Sequence, residues 1–199
     1  MRFRPTIVIP AAGRGSRFAG PRHKLEQPFG GSTVLGSTVR HAVQTQLPVV
    51  VVTTEALQPI VAELLAARDI VVLSAFDAAR GMGHTIATGV AERSGAPGWL
   101  VLPGDMPLVR PDSILAVATA LEQHAVVYAQ HLGRRGHPVG FSAELYSELI
   151  ALTGDEGARR LMARYPAHGQ EVDDPGVLFD VDTAADLEVL RRAPRSQGL

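Results

Sequence analysis

The stretch IPAAGRGSRFAGPRHKL, residues 9–25, sets Arg14, Arg17, Arg22, His23 and Lys24 among small residues and glycines, and no acid interrupts it before Glu26. Gly13 and Gly15 can leave backbone N–H groups converging into a concave nest, which suits an anion such as a phosphate chain. Arg17 would add a planar fork of donors and Lys24 a point charge. Basic runs of this kind are ordinarily solvated turns; this one directly follows an apolar run with the marks of a buried strand, and that favours an anion site. Two familiar phosphate loops do not match the spacing. A dinucleotide fingerprint needs a third glycine where Phe18 stands, and a P-loop needs its lysine between Gly and Ser or Thr, whereas Lys24 lies between His23 and Leu25.

A nucleotide phosphate held this way usually travels with Mg²⁺, which takes one or two carboxylates and keeps several waters. WLVLPGDMP (99–107) offers Asp105 right after an apolar run, with Gly104 permitting close approach and Pro107 ending the turn. VLFDVDTAADL (177–187) offers Asp180 and Asp182 at the end of another such run. In that segment Thr183 and Asp186 resemble a capping box, so the following helix has its N-cap without Asp182. Aspartates at strand ends are commonly turn and cap residues; their coincidence with the basic loop is what points to metal.

These groups need a scaffold that brings three distant segments together. Short β-branched runs recur at residues 6–11, 48–54, 69–75, 99–105, 126–131 and 177–182, several apolar on consecutive positions, as in strands covered on both faces. Helix-like segments fall between them at roughly 33–46, 55–67, 84–93, 112–123, 143–152, 155–164 and 184–192. Such alternation predicts an α/β fold: three α/β/α layers around a mostly parallel sheet with right-handed crossovers. Ligands in such sheets collect beyond the carboxyl ends of the strands, and the unusual loops AAGRGSR, GDMP and DVDT all fall at such ends.

Composition narrows the function classes. The chain has 199 residues, a formal net charge of −1 and no cysteine. A general nucleic-acid binder would carry a basic surplus, and disulfides, iron–sulfur clusters and thiolate zinc sites are excluded. No run approaches the ~18 apolar residues of a membrane span, and the N-terminus reads as a strand rather than a signal peptide; the expectation is a cytoplasmic protein with no membrane and no nucleic-acid partner. The seven histidines show no ligand spacing for zinc, and no G-x-S-x-G elbow supports hydrolase chemistry. One domain over residues 1–192 is expected, with 193–199 a disordered tail.

Further features remain open at this level. ARGMGHTIATGV (79–90) puts Gly81, Met82 and Gly83 at a helix entry, where backbone amides could reach a ligand or simply start the helix. GRRGHPVGF (133–141) carries Arg134, Arg135 and His137 on an expected turn, to grip a second anionic substrate or to be solvated. TGDEGARRLM (153–162) reads as a helix capped by Asp155 and bearing Arg159 and Arg160.

Taken in order, PAAGRGSR…K, GMG, PGDMP, RRGHPVGFS, GDEGARRL and DVDTAADL resemble the MobA-like nucleotidyltransferases, and the later motifs look especially like the molybdenum cofactor cytidylyltransferase branch. The resemblance runs from about residue 5 to 192. It implies a Rossmann-like sheet of the glycosyltransferase-A type and transfer of CMP from CTP to the phosphate of molybdopterin, with release of pyrophosphate. By position, Ala11, Ala12, Gly13, Arg14, Gly15 and Arg17 would wrap the triphosphate, Lys24 would bind its outer phosphates, and Asp105 with Asp182 or Asp180 would hold Mg²⁺, with Mn²⁺ as an alternative. Gly81, Met82 and Gly83, and Arg135 and His137 within 134–138, would face nucleoside and acceptor, with Gly104 as a further binding residue beside Asp105, and Ala12 in the AAG form leans toward cytidine. A molybdoenzyme or its chaperone is the implied protein partner. The spacing between Arg17 and Lys24 is about one residue longer than usual in the family, and His84 stands where a small residue is common. Rival readings are another phosphorylated acceptor such as a sugar or alditol phosphate, a nucleotide-binding maturation factor without catalysis, and sugar transfer from a nucleotide sugar.

Overall fold

A computed structural model describes residues 3–13, 15, 18, 22–155 and 157–192. The first strand, β1 (Thr6–Ala11), is buried along its whole length, and its side chains alternate between two cores. A 3₁₀ turn at Lys24–Glu26 and a small hairpin of β2 (Pro28–Phe29) and β3 (Ser32–Thr33) lead into α1 (Val34–Gln44), which Thr33 caps by accepting from the Gly36 amide. The chain continues through β4 (Val49–Thr54), α2 (Gln58–Ala62), β5 (Ile70–Leu73), α3 (Ala75–Ala78) and α4 (Met82–Glu92). Then follow β6 (Gly98–Val101), α5 (Pro111–Ala120), β7 (Val126–His131), β8 (Arg134–Ser142), α6 (Tyr146–Ile150), α7 (Arg159–Arg164), β9 (Ala167–Glu171) and α8 (Ala184–Arg192).

Seven strands form one sheet in the order β5-β4-β1-β6-β8-β7-β9. Its pairings are parallel except those of β8, which runs against both β6 and β7. The period of two along each strand divides the apolar residues between the faces. Ile7, Ile9, Val49, Val51 and Leu100 pack against Leu35 and Val39 of α1, Ile114 and Val117 of α5, and Leu187 of α8. Val8, Val50, Trp99, Val101 and Phe141 pack on the other side against Ile86 and Val90 of α4, Leu149 of α6 and Leu161 of α7. The three expected layers and the mostly parallel sheet are therefore present.

Four local expectations need correction. Residues 177–182 are not a strand: Pro175–Leu178 is a 3₁₀ turn, and the chain there crosses over β8 instead of lying beside it. Its Val177 and Val181 are buried in the core shared with α1, α5 and α8, which gives the segment a strand-like apolar pattern. Residues 133–141 are not a turn: the reversal is confined to Leu132 and Gly133, with φ of 50° and 73°, the pair of positive angles a tight hairpin requires. Residues 134–142 are β8 itself. The helix expected over 55–67 shrinks to Gln58–Ala62, followed by a separate 3₁₀ turn at Ala67–Asp69. The helix expected from 155 begins at Arg159.

Candidate functional site

A cleft of about 750 Å³ opens beyond the carboxyl ends of β1 and β6, bordered by Gly13 and Gly15, by the 103–106 turn and by residues 135–137 of β8. Because β8 runs backwards, its first residues reach the same rim as the last residues of its neighbours.

The centre of the cleft is electrostatic. Lys24 Nζ donates to Asp105 Oδ2 over 2.7 Å and to Asp182 Oδ1 over 3.0 Å. Carboxylate oxygens of Asp105, Asp180 and Asp182 lie within 4.8 Å of one another. Burial opposes the charge on Lys24, but the attraction of Asp105 and then of Asp182 outweighs it, so its ammonium is held above the usual 10.5. Desolvation within the cleft, followed by the charges of Asp105 and Asp182, pushes the Asp180 carboxyl above the usual carboxylate range.

Backbone contacts fix this cluster. The Gly104 amide donates to the Pro10 carbonyl at 3.2 Å, and the Thr38 hydroxyl of α1 donates to the Gly104 carbonyl at 3.1 Å, so the Asp105 turn is bound to β1 on one side and to α1 on the other. The Val181 amide donates to the Asp105 carbonyl at 2.9 Å, which places Asp180 and Asp182 next to Asp105. Thr183 and Asp186 do form the capping box of α8: the Thr183 amide donates to Asp186 Oδ2 at 2.7 Å, and the Asp186 amide donates to Thr183 Oγ1 at 3.2 Å. Upstream, the buried Asp174 carboxylate accepts from the amides of Arg110 and Gly176 and from the Ser113 hydroxyl, so the turn ahead of Asp180 is pinned to the start of α5.

His23 holds Lys24 from behind. Its Nδ1 accepts from the Leu25 amide at 3.2 Å while Nε2 lies 2.8 Å from the Gly13 carbonyl, which requires the neutral tautomer protonated on Nε2. Glu26 accepts from the His23 amide, closing the 3₁₀ turn that carries Lys24. Despite the longer spacing noted in the sequence, Lys24 therefore reaches both aspartates.

The remaining expected residues divide. Ala11, Gly15, Gly81, Met82, Gly104, Arg135 and His137 line the cleft with Lys24 and the three aspartates. Arg14 and Arg17 lie outside the described residues. Ala12 turns into a small apolar cluster with Val52 and Leu73. The Gly83 amide is already bonded to the Gly154 carbonyl at 2.8 Å, so it is not offered to a ligand. His137 is a neutral group rather than a cation: desolvation takes it down to about 4, with Arg159 pushing the same way and Asp180 opposing. Arg135 stacks over the Tyr128 ring, 4.8 Å from its centroid. His84 is engaged by Arg80 at 3.3 Å and does not line the cleft.

One lining residue was misread from sequence, and another, correctly placed on a helix, was not assigned to the site. Asp155 caps no helix, since α7 starts after Ala158 without a side-chain cap, and it lies instead against Gly81 at the cleft; Arg159 lines the cleft as well. The motif GDEGARRL was visible, but its capping pattern fits a helix entry equally well.

The acidic cluster has the atoms a divalent cation needs. Asp105 Oδ1 is buried and meets no hydrogen-bond partner among the described residues. An orphaned buried acceptor is costly, and a cation shared with the neighbouring carboxylates would complete it. All the donors are hard oxygens, which suits Mg²⁺ or Mn²⁺ rather than zinc.

The model of the MobA-like NTP transferase domain matches residues 7–171. The purine catabolism protein PucB of Bacillus subtilis is 39% identical over 127 residues, 59% of this chain and 59% of that protein. The phosphoenolpyruvate guanylyltransferase of Nocardia farcinica is 38% identical over 106 residues, 51% of this chain and 44% of its own length. The matched regions thus span roughly half the length of these curated relatives. Rv0371c from Mycobacterium tuberculosis, in its crystal structure, is 27% identical with a TM-score of 0.81, covering 96% of this chain and 100% of that one. A second structure of that protein is a complex with manganese, at 26% identity and a TM-score of 0.79 over the same shares. With its sheet, its cleft and a domain match over most of its length, the chain belongs to the MobA-like NTP transferase family.

Proposed function

We propose that this protein transfers CMP from CTP to the phosphate of a molybdopterin-type acceptor and releases pyrophosphate. The observation that carries the reading is the meeting of Lys24 with Asp105 and Asp182 in a glycine-bordered cleft. Family membership supports nucleotidyl transfer; the Ala11–Gly13 motif supports cytidine, and the RGHP and GD-x-GAR motifs support the acceptor.

The chemistry follows from the groups present. An acceptor phosphate is already ionised near neutral pH, so no side chain needs to act as a general base. Its oxygen attacks the α-phosphorus in line, a new P–O bond forms as the bond to the β-phosphate oxygen breaks, and both electrons leave with pyrophosphate. Gly13 and Gly15 with Lys24 would cradle the outer phosphates, and Asp105, Asp180 and Asp182 would hold a divalent cation. Such a cation would neutralise charge on the leaving pyrophosphate. Arg135 would face the acceptor as a fixed cation, with neutral His137 beside it as a hydrogen-bonding group. Positioning and charge neutralisation would supply most of the acceleration.

The match to a phosphoenolpyruvate guanylyltransferase supports a second reading, in which the acceptor is another small phosphorylated compound and the nucleotide differs. Pyrophosphate release measured for each nucleoside triphosphate against molybdopterin, sugar phosphates, alditol phosphates and phosphoenolpyruvate decides between them. The first reading expects release with CTP and molybdopterin. Turnover confined to another pair would establish the second, and nucleotide binding without product under any acceptor would point to a non-catalytic maturation factor.

A further inference from the structure

We propose that Lys24 is a placeholder cation: without ligands its ammonium takes the place between Asp105 and Asp182 that a divalent ion needs, and it yields that place far more readily when a triphosphate can receive it. The inference rests on the reading of Asp105, Asp180 and Asp182 as a metal site.

Three acidic groups within 4.8 Å repel one another unless a cation lies among them. Lys24 supplies it, at 2.7 Å from one carboxylate and 3.0 Å from another. The oxygens it holds, Asp105 Oδ2 and Asp182 Oδ1, belong to the same carboxylates that would ligate a metal. A dication entering alone would contest those oxygens with an ammonium left without a new partner. A triphosphate entering alone would bring its charge up against the acidic cluster. Only together do both find partners: the metal takes the aspartates, and Lys24 swings to phosphate oxygens at the glycine-bordered side of the same cleft, where Gly13 and Gly15 lie. Metal and nucleotide then bind with positive coupling, each tightening the other by the same factor.

Residue choice fits this role. Lys24 is the only lysine in the chain, every other fixed cationic side chain being arginine. A compact ammonium on a flexible stem can stand in for a spherical ion and then leave, whereas a planar guanidinium suits fixed pairing.

Mn²⁺ binding to the nucleotide-free protein, followed by electron paramagnetic resonance, tests the proposal in the wild type, Lys24→Met and Lys24→Met/Asp105→Asn. The expected result is about tenfold or greater tightening in Lys24→Met, within the usual range of coupling between sites, and loss of that gain in the double variant. Equal or weaker Mn²⁺ binding by Lys24→Met would overturn the placeholder role while leaving the metal site standing. Failure of the wild type to bind Mn²⁺ with or without CTP would instead overturn the metal reading itself. Because Lys24→Met removes the ammonium bonded to Asp105 and Asp182 and can impair folding, a second measurement uses the wild type. Acetylation of the single lysine, read by mass spectrometry at constant ionic strength, is expected to be slow without ligands, faster with saturating Mg²⁺ alone and slow again with Mg²⁺ and CTP together. A labelling rate that Mg²⁺ alone does not raise would overturn the proposal.

Discussion

The Ser113 hydroxyl donates to Asp174 Oδ2 over 2.7 Å inside the protein, joining the start of α5 to the turn ahead of the acidic cluster, 61 residues further on. The same carboxylate accepts from two amides and lies 3.4 Å from Arg110 Nε, so it organises four donors from two segments. Asp174→Ala would strand these donors and is expected to cost about 2–4 kcal/mol of stability. Asp174→Asn, which keeps the shape and one acceptor, should cost less. Urea unfolding of both variants checks the order; equal losses would show that the hydrogen bonds contribute little.

Asp105→Asn separates chemistry from folding. The amide keeps the volume but surrenders the charge that faces Lys24 and the buried Oδ1. Turnover is expected to fall by roughly 100-fold or more, the scale of losing a preorganised electrostatic group, with the thermal midpoint moving little. Near-normal pyrophosphate release from this variant would remove Asp105 from the site.

Gly136 faces the 175–178 turn, and a methyl group built there would stand 2.1 Å from the Val177 carbonyl oxygen. Gly136→Ala must therefore push away the turn that leads to Asp180 and Asp182, at a packing cost of about 1–3 kcal/mol. Weaker Mn²⁺ binding with an intact circular dichroism spectrum is the expected outcome. Unchanged Mn²⁺ affinity would mean that the turn and the aspartates move independently.

His137 sets a pH dependence of stability. Its pKa is about 4 in the folded protein against 6.5 ordinarily. Below pH 6.5 the unfolded chain binds a proton at this position that the folded protein refuses until about pH 4. Folding is therefore supported in full above 6.5 and loses that support as the pH falls from 6.5 to 4. His137→Gln should shrink the drop in denaturation midpoint between pH 7 and 4.5; an identical drop in the two proteins would show the ring to be solvated.

His23→Ala removes the link between the Gly13 carbonyl and the Lys24 turn. Loss of about one net hydrogen bond predicts roughly five- to tenfold weaker nucleotide binding, with the acceptor KM unchanged. Calorimetric titration with CTP measures it, and an equal rise in both constants would indicate general loosening of the cleft.

How far the sequence disclosed this arrangement depended on what each segment packs against. Strands buried on both faces, such as β1 and β4, carry unbroken apolar runs and were legible, as were the Asp105 turn and the Thr183–Asp186 box, whose signals are local. β9 was not, because Ala167–Glu171 contains no β-branched residue and no Phe, Tyr or Trp, and within the sheet it pairs with β7 alone. β8 was hidden by its charged first half, which extends past the end of β6 toward solvent. Asp180 and Asp182 were found for a partly mistaken reason: the run before them is apolar because its valines are buried in the core, not because it joins the sheet. The engagement of Lys24 with both aspartates was beyond sequence reading, since nothing local reports which anion a solitary ammonium meets.

The reversed course of β8 also bears on how such a protein can diversify. The glycine-bordered loop and Asp105 come from the ends of two forward strands, whereas Arg135 and His137 come from the beginning of a strand entered through a two-residue bend. Substitutions or added residues at that bend would reshape what the cleft accepts on one side and leave the opposite side in register. On the proposed assignment, new recipients could thus be acquired without rebuilding the half proposed to grip the nucleotide.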